Sequence, residues 1–248
     1  QPAGGTKSEG GTSYAMGNDV TSDLSVRRAL TYAIDRDAVI ENVLSGYGKP
    51  AYSVSDDMPW SSDNMKVELD RDLAARLLDD AGWTIGSDGV RAKDGVRAAF
   101  DIWYSSDDSA RQAIANELSN QFAQIGIEAS PCGGSWDEIY SHQYEQPVLW
   151  GWGSNSPIEV YALNYSTGWG NYACYENAAI DAHLDEALAQ RSIEDSYAYW
   201  QLAAWDGENG FAPKGAATWA WIANVDHLYF KREGLVVADQ KPHPHGHG

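Results

Sequence analysis

The stretch that most constrains this chain runs from Trp83 to Ser130, where the hydrophobic period changes twice. Phe100, Ile102 and Tyr104 alternate with Asp101 and Trp103, the period of a strand with one buried face. Ile114, Leu118, Phe122 and Ile125 then recur at helical spacing within Asp107–Ile125, and Gly126–Ser130 returns to a short strand. A strand–helix–strand unit commits the chain to an α/β layer. Upstream of it, Asp-Gly-Val-Arg occurs twice, and Asp88-Gly89 and Asp94-Gly95 are turn signals that predict a β-hairpin over Trp83–Tyr104. Asp107-Asp108 sits where negative charge meets the N-terminal end of the helix dipole.

Other elements follow from similar signals. Ser25–Gly46 carries Val26, Leu30, Ala33, Ile34, Val39, Ile40, Val43 and Leu44 at helical spacing, with Asp23 as N-cap, a break at Asp35–Asp37 and Gly46 as stop. Helices are predicted over Asp70–Gly82, Ser135–His142, Asn177–Gln190 and Ser192–Asp206, and an apolar strand over Gln146–Gly153. The tail alternates again over Ala217–Ile222, Asp226–Phe230 and Leu235–Ala238. The reading is a single mixed α/β unit spanning 13–240. Before it, 1–12 (QPAGGTKSEGGT) reads as a linker or frayed terminus, and after it comes a His-rich tail, 241–248. With no initiator Met, signal peptide or lipid-attachment cysteine, the chain reads as a processed or excised piece.

Composition removes several function classes. With 17 Lys+Arg against 36 Asp+Glu, the net charge of −19 repels phosphate backbones, so no nucleic-acid partner is expected. A mean hydropathy of −0.46 and the lack of a long apolar run argue against a membrane-spanning helix. Eleven Trp and fourteen Tyr are too many aromatics for a disordered chain. The two cysteines cannot form a disulfide scaffold, but Cys132 and Cys174 could form one bridge in an oxidising compartment. G-x-S-x-G, H-E-x-x-H and P-loop motifs are missing, and adjacent acid pairs read as solvated surface, so neither an enzyme nor a cofactor is expected. His243, His245 and His247 could chelate a metal, although an exposed tail explains them as well.

Tryptophan carries the sharpest functional signal. Trp150-Gly151-Trp152-Gly153-Ser154-Asn155-Ser156-Pro157 places two indoles on one face of a strand end, just before a helix. Strand ends in α/β sheets are where ligands dock; indoles offer flat walls and one N–H donor, and glycine lets a ligand approach the backbone. The same residues could instead be core. Trp200, Trp205, Trp219 and Trp221 lie in periodic elements and read as core.

Several segments together carry a resemblance. The pattern D-x-x-V-R-R-A-L-x-Y-A-I-D-R stands intact from Asp23 to Arg36, within Ser25–Ala51 (SVRRALTYAIDRDAVIENVLSGYGKPA) and its capping residue. Asp70–Trp83, Asp88–Gly95, Arg111–Glu128 (ending QFAQIGIE), Trp136 and Trp150–Pro157 extend the likeness from about Tyr14 to Tyr229. The chain resembles family 5 extracytoplasmic solute-binding proteins, the dipeptide, oligopeptide and nickel receptors of ABC importers. The resemblance implies the C-terminal lobe of a type II periplasmic-binding-protein-like fold, a mixed sheet flanked by helices. The implied partners are a small polar solute (peptide-like, or a metal chelate), permease subunits, and an N-terminal lobe of the same protein. The implied location is extracytoplasmic, lipid-anchored in the full-length protein. Trp136, Trp150, Trp152, Gly153, Ser154 and Asn155 transfer as cleft residues, with Trp169 and Tyr172 in the loop beyond. Peptide-binding relatives hold the ligand's α-amino group with an aspartate in this segment, whereas the matching positions here, Gly153 and Asn155, are not acidic. Nickel receptors can use a histidine further on, and Pro157–Asn177 contains none. The competing reading is a carbohydrate-active enzyme or carbohydrate-binding module, which would place juxtaposed carboxylates beside Trp150 and Trp152.

Overall fold

The computed structural model describes residues 1–153 and 156–236. Side-chain oxygens start most of the helices. Asp23 accepts from Ser25 N at 2.9 Å to open α1 (Leu24–Ala33), and Asp35 accepts from Ala38 N at 3.0 Å to open α2 (Arg36–Asn42). The predicted break between these helices is therefore itself a cap. After β3 (Gly48–Pro50), Asp70 caps α3 (Arg71–Asp80) through Leu73 N at 2.7 Å.

Three short strands follow, β4 (Thr84–Ile85), β5 (Arg91–Lys93) and β6 (Val96–Arg97), forming an antiparallel meander on the two Asp-Gly turns. Phe100, Ile102 and Tyr104 do not join this meander. They lie on β7 (Ala99–Ser105), which pairs in parallel with β8 (Glu128–Gly134), and α4 (Ser109–Ala123) makes the crossover. Cys132 faces Trp103 in that register, and Asp108 caps α4 through Arg111 N at 2.9 Å.

Ser135 and Glu138 form a capping box at the start of α5 (Trp136–His142). The rest of the described chain holds α6 (Ile158–Asn164), α7 (Ala178–Ala189), α8 (Ile193–Ala204) and β9 (Ala223–Val225). β9 returns to pair with β3, and Arg36 fixes that closure by donating from Nε to Ala51 O and Trp221 O at 2.9 and 3.0 Å.

The buried apolar side chains form two clusters. One joins Val26, Ala29 and Leu30 of α1 and Leu78 of α3 to Phe100 and Ile102 of β7 and Leu118 and Phe122 of α4. The other joins Ile180 and Leu184 of α7 to Trp200 and Ala203 of α8, with Trp60, Met65 and Phe211. Trp200 is core, as its periodicity predicts.

Three expectations need correction. Residues 1–12 are not a linker: β1 (Gly5–Glu9) pairs with β2 (Thr12–Met16) as an antiparallel hairpin. Gly10 and Gly11, at φ 55° and 84°, supply the two positive-φ positions that a two-residue hairpin turn requires. Gln146–Gly153 is not a strand either. Trp103 N donates to Pro147 O and Leu149 N to Trp103 O, making one bridge at Val148, and Trp150 N then turns back to Val148 O. Neither Ala217–Ile222 nor Asp226–Phe230 forms a strand: β9 lies between them, and Ala217 at φ 48° starts the first run out of extended geometry. The mixed α/β class holds, with the strands of the described residues grouped into four small sheets of two or three strands, of which only β7–β8 is parallel.

The Cys132–Cys174 bridge is not formed, and both are free thiols. Cys132 lies on β8 beside Asp101, and Cys174 lies in a loop at φ 49° near Lys7 and Glu9. Burial pushes both thiols above their ordinary pKa.

Candidate functional site

The predicted aromatic residues converge from three separate segments. On α5, Trp136 and Tyr140 are one helical turn apart and share a face, with ring centroids 5.8 Å apart. The chain leaving Val148 brings Trp150 against both, at 6.0 Å from Trp136 and 6.1 Å from Tyr140. Tyr172 stacks on Trp150 at 4.5 Å with the planes only 14° apart. Trp152 continues the wall at 6.2 Å from Trp150, meeting Trp169 edge-on at 5.4 Å and Trp219 edge-on at 6.2 Å. Trp136, Tyr140 and Trp169 remain exposed, whereas Trp150, Trp152 and Tyr172 are half-buried. These rings therefore form neither a sealed core nor a set of isolated surface residues.

The loop bearing Trp169 and Tyr172 is fastened by Asn171, which is 3 % exposed. Its Nδ2 donates to the carbonyls of Tyr165, Ser166 and Tyr175, and its Oδ1 accepts from Tyr175 N. Gly151 gives a close approach on the other side, since a Cβ there would sit 2.7 Å from Nη2 of Arg111, which is ion-paired to Asp108 at 2.6 Å. Gly153 is half-buried at the end of this stretch, while Ser154, Asn155, His243, His245 and His247 lie outside the described residues.

A cavity of about 450 Å³ lies beside this wall, within the usual range for a small-molecule site. Trp150, Tyr172, Tyr144 and Trp219 line it on one side, with apolar side chains of α1, β7 and α4 as its floor. Tyr144 anchors the N-terminal hairpin: its hydroxyl donates to Glu9 at 2.5 Å, Lys7 Nζ lies 4.1 Å from its ring centroid, and Tyr14 meets it edge-on. Burial, reinforced by Glu9, raises the Tyr144 pKa, and burial likewise raises that of Tyr172. Glu145 is the one acidic residue among the described lining residues, and it pairs with His142 Nδ1 at 3.1 Å. The juxtaposed carboxylates required by the carbohydrate-active reading are therefore missing among the described lining residues. Trp152 Nε1 and Thr218 Oγ1 are buried without a protein partner among the described residues. No group of three metal-ligating side chains forms among the described residues.

Sequence reasoning missed Tyr140, Tyr144, Asn171, Trp219 and Trp221. Tyr140 was accessible from its spacing to Trp136 on a capped helix. Trp219 and Trp221 read as core from their periodicity; both are half-buried, Trp221 packs against the α7–α8 cluster, and the pair stacks at 5.6 Å with Trp219 edge-on to Trp152, continuing the wall.

Comparison with known proteins agrees with this architecture. The model for bacterial extracellular solute-binding proteins, family 5 Middle, matches residues 6–173. Protein XP55 of Streptomyces lividans is 37% identical over 219 residues, a span of 85% of this chain and 39% of that protein. Oligopeptide-binding protein AppA of Bacillus subtilis is 29% identical over 197 residues, covering 73% of this chain and 35% of the relative. Among solved structures, NikZ of Campylobacter jejuni in complex with Ni(L-His) superposes with a TM-score of 0.74 at 26% identity, covering 84% of this chain and 43% of its own. AppA of Bacillus subtilis in complex with a nonapeptide gives a TM-score of 0.71 at 24% identity, with the same coverage, and supports the fold. The chain thus spans about two-fifths of the length of these relatives and shares that part of their type II periplasmic-binding-protein fold. With the Asp23–Arg36 pattern inside a match that covers more than half of its residues, this chain belongs to family 5 of the bacterial extracellular solute-binding proteins.

Proposed function

We propose that this chain is the C-terminal ligand-binding lobe of an extracytoplasmic solute receptor serving an ABC importer. The aromatic wall carries the reading: Trp136, Trp150, Trp152, Trp169 and Tyr172 come from distant segments yet form one continuous run of ring contacts beside a cavity. The indole faces pack against a small, partly polar solute, peptide-like or a metal chelate, while Gly151 and Gly153 admit it to the backbone and Ser154 and Asn155 orient it. A second lobe, supplied by the rest of a full-length, lipid-anchored protein, closes over the ligand. Ligand bridging the lobes favours the closed form, which the permease recognises, and no covalent bond changes.

Ligand identification by native mass spectrometry on the full-length protein tests this. The expected result is a retained small solute whose release changes tryptophan fluorescence and which Trp150→Ala fails to hold. Chemical turnover of the retained solute, or retention unaffected by the substitution, overturns it.

A further inference from the structure

The cavity holds a cation without a counter-ion. Arg27, on α1, is oriented by three backbone acceptors: Nε donates to Ala216 O at 3.0 Å, and Nη1 donates to Thr21 O and Ser22 O at 3.1 and 2.7 Å. These contacts leave the N–H groups of Nη2 without a protein acceptor among the described residues. No carboxylate comes within ion-pair distance of Arg27 among them either. Asp23, the carboxylate that acts on it from afar, is committed to Lys93 at 2.7 Å and Trp83 Nε1 at 3.0 Å. Burial lowers the Arg27 pKa, the direction expected of a charge that lacks a partner.

The floor beneath Arg27 is apolar: Leu30, Ile34, Phe100, Ile102, Leu118 and Phe122 all line the cavity. From this juxtaposition we infer that the cavity takes an amphipathic carboxylate, its head on the free edge of the Arg27 guanidinium and its hydrocarbon body on that floor. A neutral solute leaves the guanidinium uncompensated, and inorganic phosphate leaves the apolar floor uncovered. Glu145, the acidic group on the same cavity, is held by His142 and does not reach Arg27. The inference rests on the receptor reading, because Trp150 and Trp219 flank the same cavity, and it names a class of solute for that site.

Calorimetric titration of the protein with octanoate, octanamide and inorganic phosphate, with tryptophan fluorescence followed in parallel, tests it. Octanoate is expected to bind saturably and at least about tenfold more tightly than octanamide, the scale of one charge-assisted hydrogen bond, and phosphate should not displace it. Arg27→Gln should abolish the acid-over-amide preference, whereas Arg27→Lys should retain it in weakened form. Because Arg27 also holds three carbonyls, the comparison on the unaltered protein decides the matter if either variant fails to fold. Equal binding of octanoate and octanamide, displacement by phosphate, or no octanoate binding overturns the inference. A dipeptide or nickel–histidine complex that changes the same fluorescence while octanoate does not would overturn it and leave the receptor reading standing.

Discussion

Replacing Trp150 with alanine removes the ring on which the aromatic wall converges. Trp150 stacks on Tyr172 at 4.5 Å and meets Trp136, Tyr140 and Trp152 at 6.0, 6.1 and 6.2 Å. Aromatic pairs contribute about 0.5–1.5 kcal/mol each beyond burial, with the closest stack at the upper end and the longer contacts at the lower end. Truncating a buried tryptophan costs about 3–5 kcal/mol, and Trp150 is only half-buried, so the lower end applies. The expected destabilisation is about 3 kcal/mol, a Tm lower by about 6–12 °C for a chain of this size. Denaturant unfolding followed by far-UV circular dichroism gives the first quantity and a thermal melt the second. The near-UV spectrum should lose much of its tryptophan signal, because stacked indoles couple. A loss below about 1 kcal/mol with an unchanged near-UV spectrum refutes the convergence of these rings.

Three further outcomes are expected. Asn171→Ala leaves three carbonyls without their donor and should cost about 3 kcal/mol, with faster hydrogen exchange across the loop bearing Trp169 and Tyr172; unchanged exchange there refutes the clamp. Burial alone would raise the Asp23 pKa, but Lys93, Trp83 Nε1 and Ser25 N–H outweigh it and hold the carboxyl below its ordinary value. Its contribution is therefore present above pH about 4 and lost as pH falls through the lowered folded pKa, so the stability gap between wild type and Asp23→Asn should close on acidification; a gap independent of pH removes the ion-pair account. Denatured protein, without reductant, should take up two iodoacetamide groups, and one or none would show a modified or bridged Cys132 or Cys174.

What was legible in the sequence was mostly local. Asp23 reads as an N-cap, and the predicted helix starts at Asp70, Ser135 and Asn177 and the break at Asp35 fall on residues whose side chains accept from an amide two or three residues on, so a few neighbouring residues contain the whole interaction. The β7–α4–β8 crossover was readable because its apolar period changes with each element. The N-terminal hairpin was not: Gly10-Gly11 has the composition of a linker, and only pairing distinguishes it from a tight turn. The run after Gln146 misled because strand hydrophobicity persists past the point where Trp150 N turns back to Val148 O. Trp136, Trp150, Trp152, Trp169 and Tyr172 were identified singly, but their convergence depends on Asn171 and on the packing of α5, which no spacing encodes.

The division of the apolar interior into two clusters bears on how the chain acquires its structure. The buried residues of the β7–β8 cluster, with α1 and α3, all come from one stretch of chain between Val20 and Ala129, whereas the cluster around α7 and α8 also draws in Trp60 and Met65 from much earlier in the chain. Between them run the Arg27 and Arg28 bonds to residues 214–216 and the edge-on contact of Trp152 with Trp219. Such a seam opens at lower free energy than either block. Transient excursions therefore begin by parting the indoles, so amide exchange at the seam should precede exchange within the α7–α8 pair, and occupancy of the binding face should slow the breathing of the whole lobe.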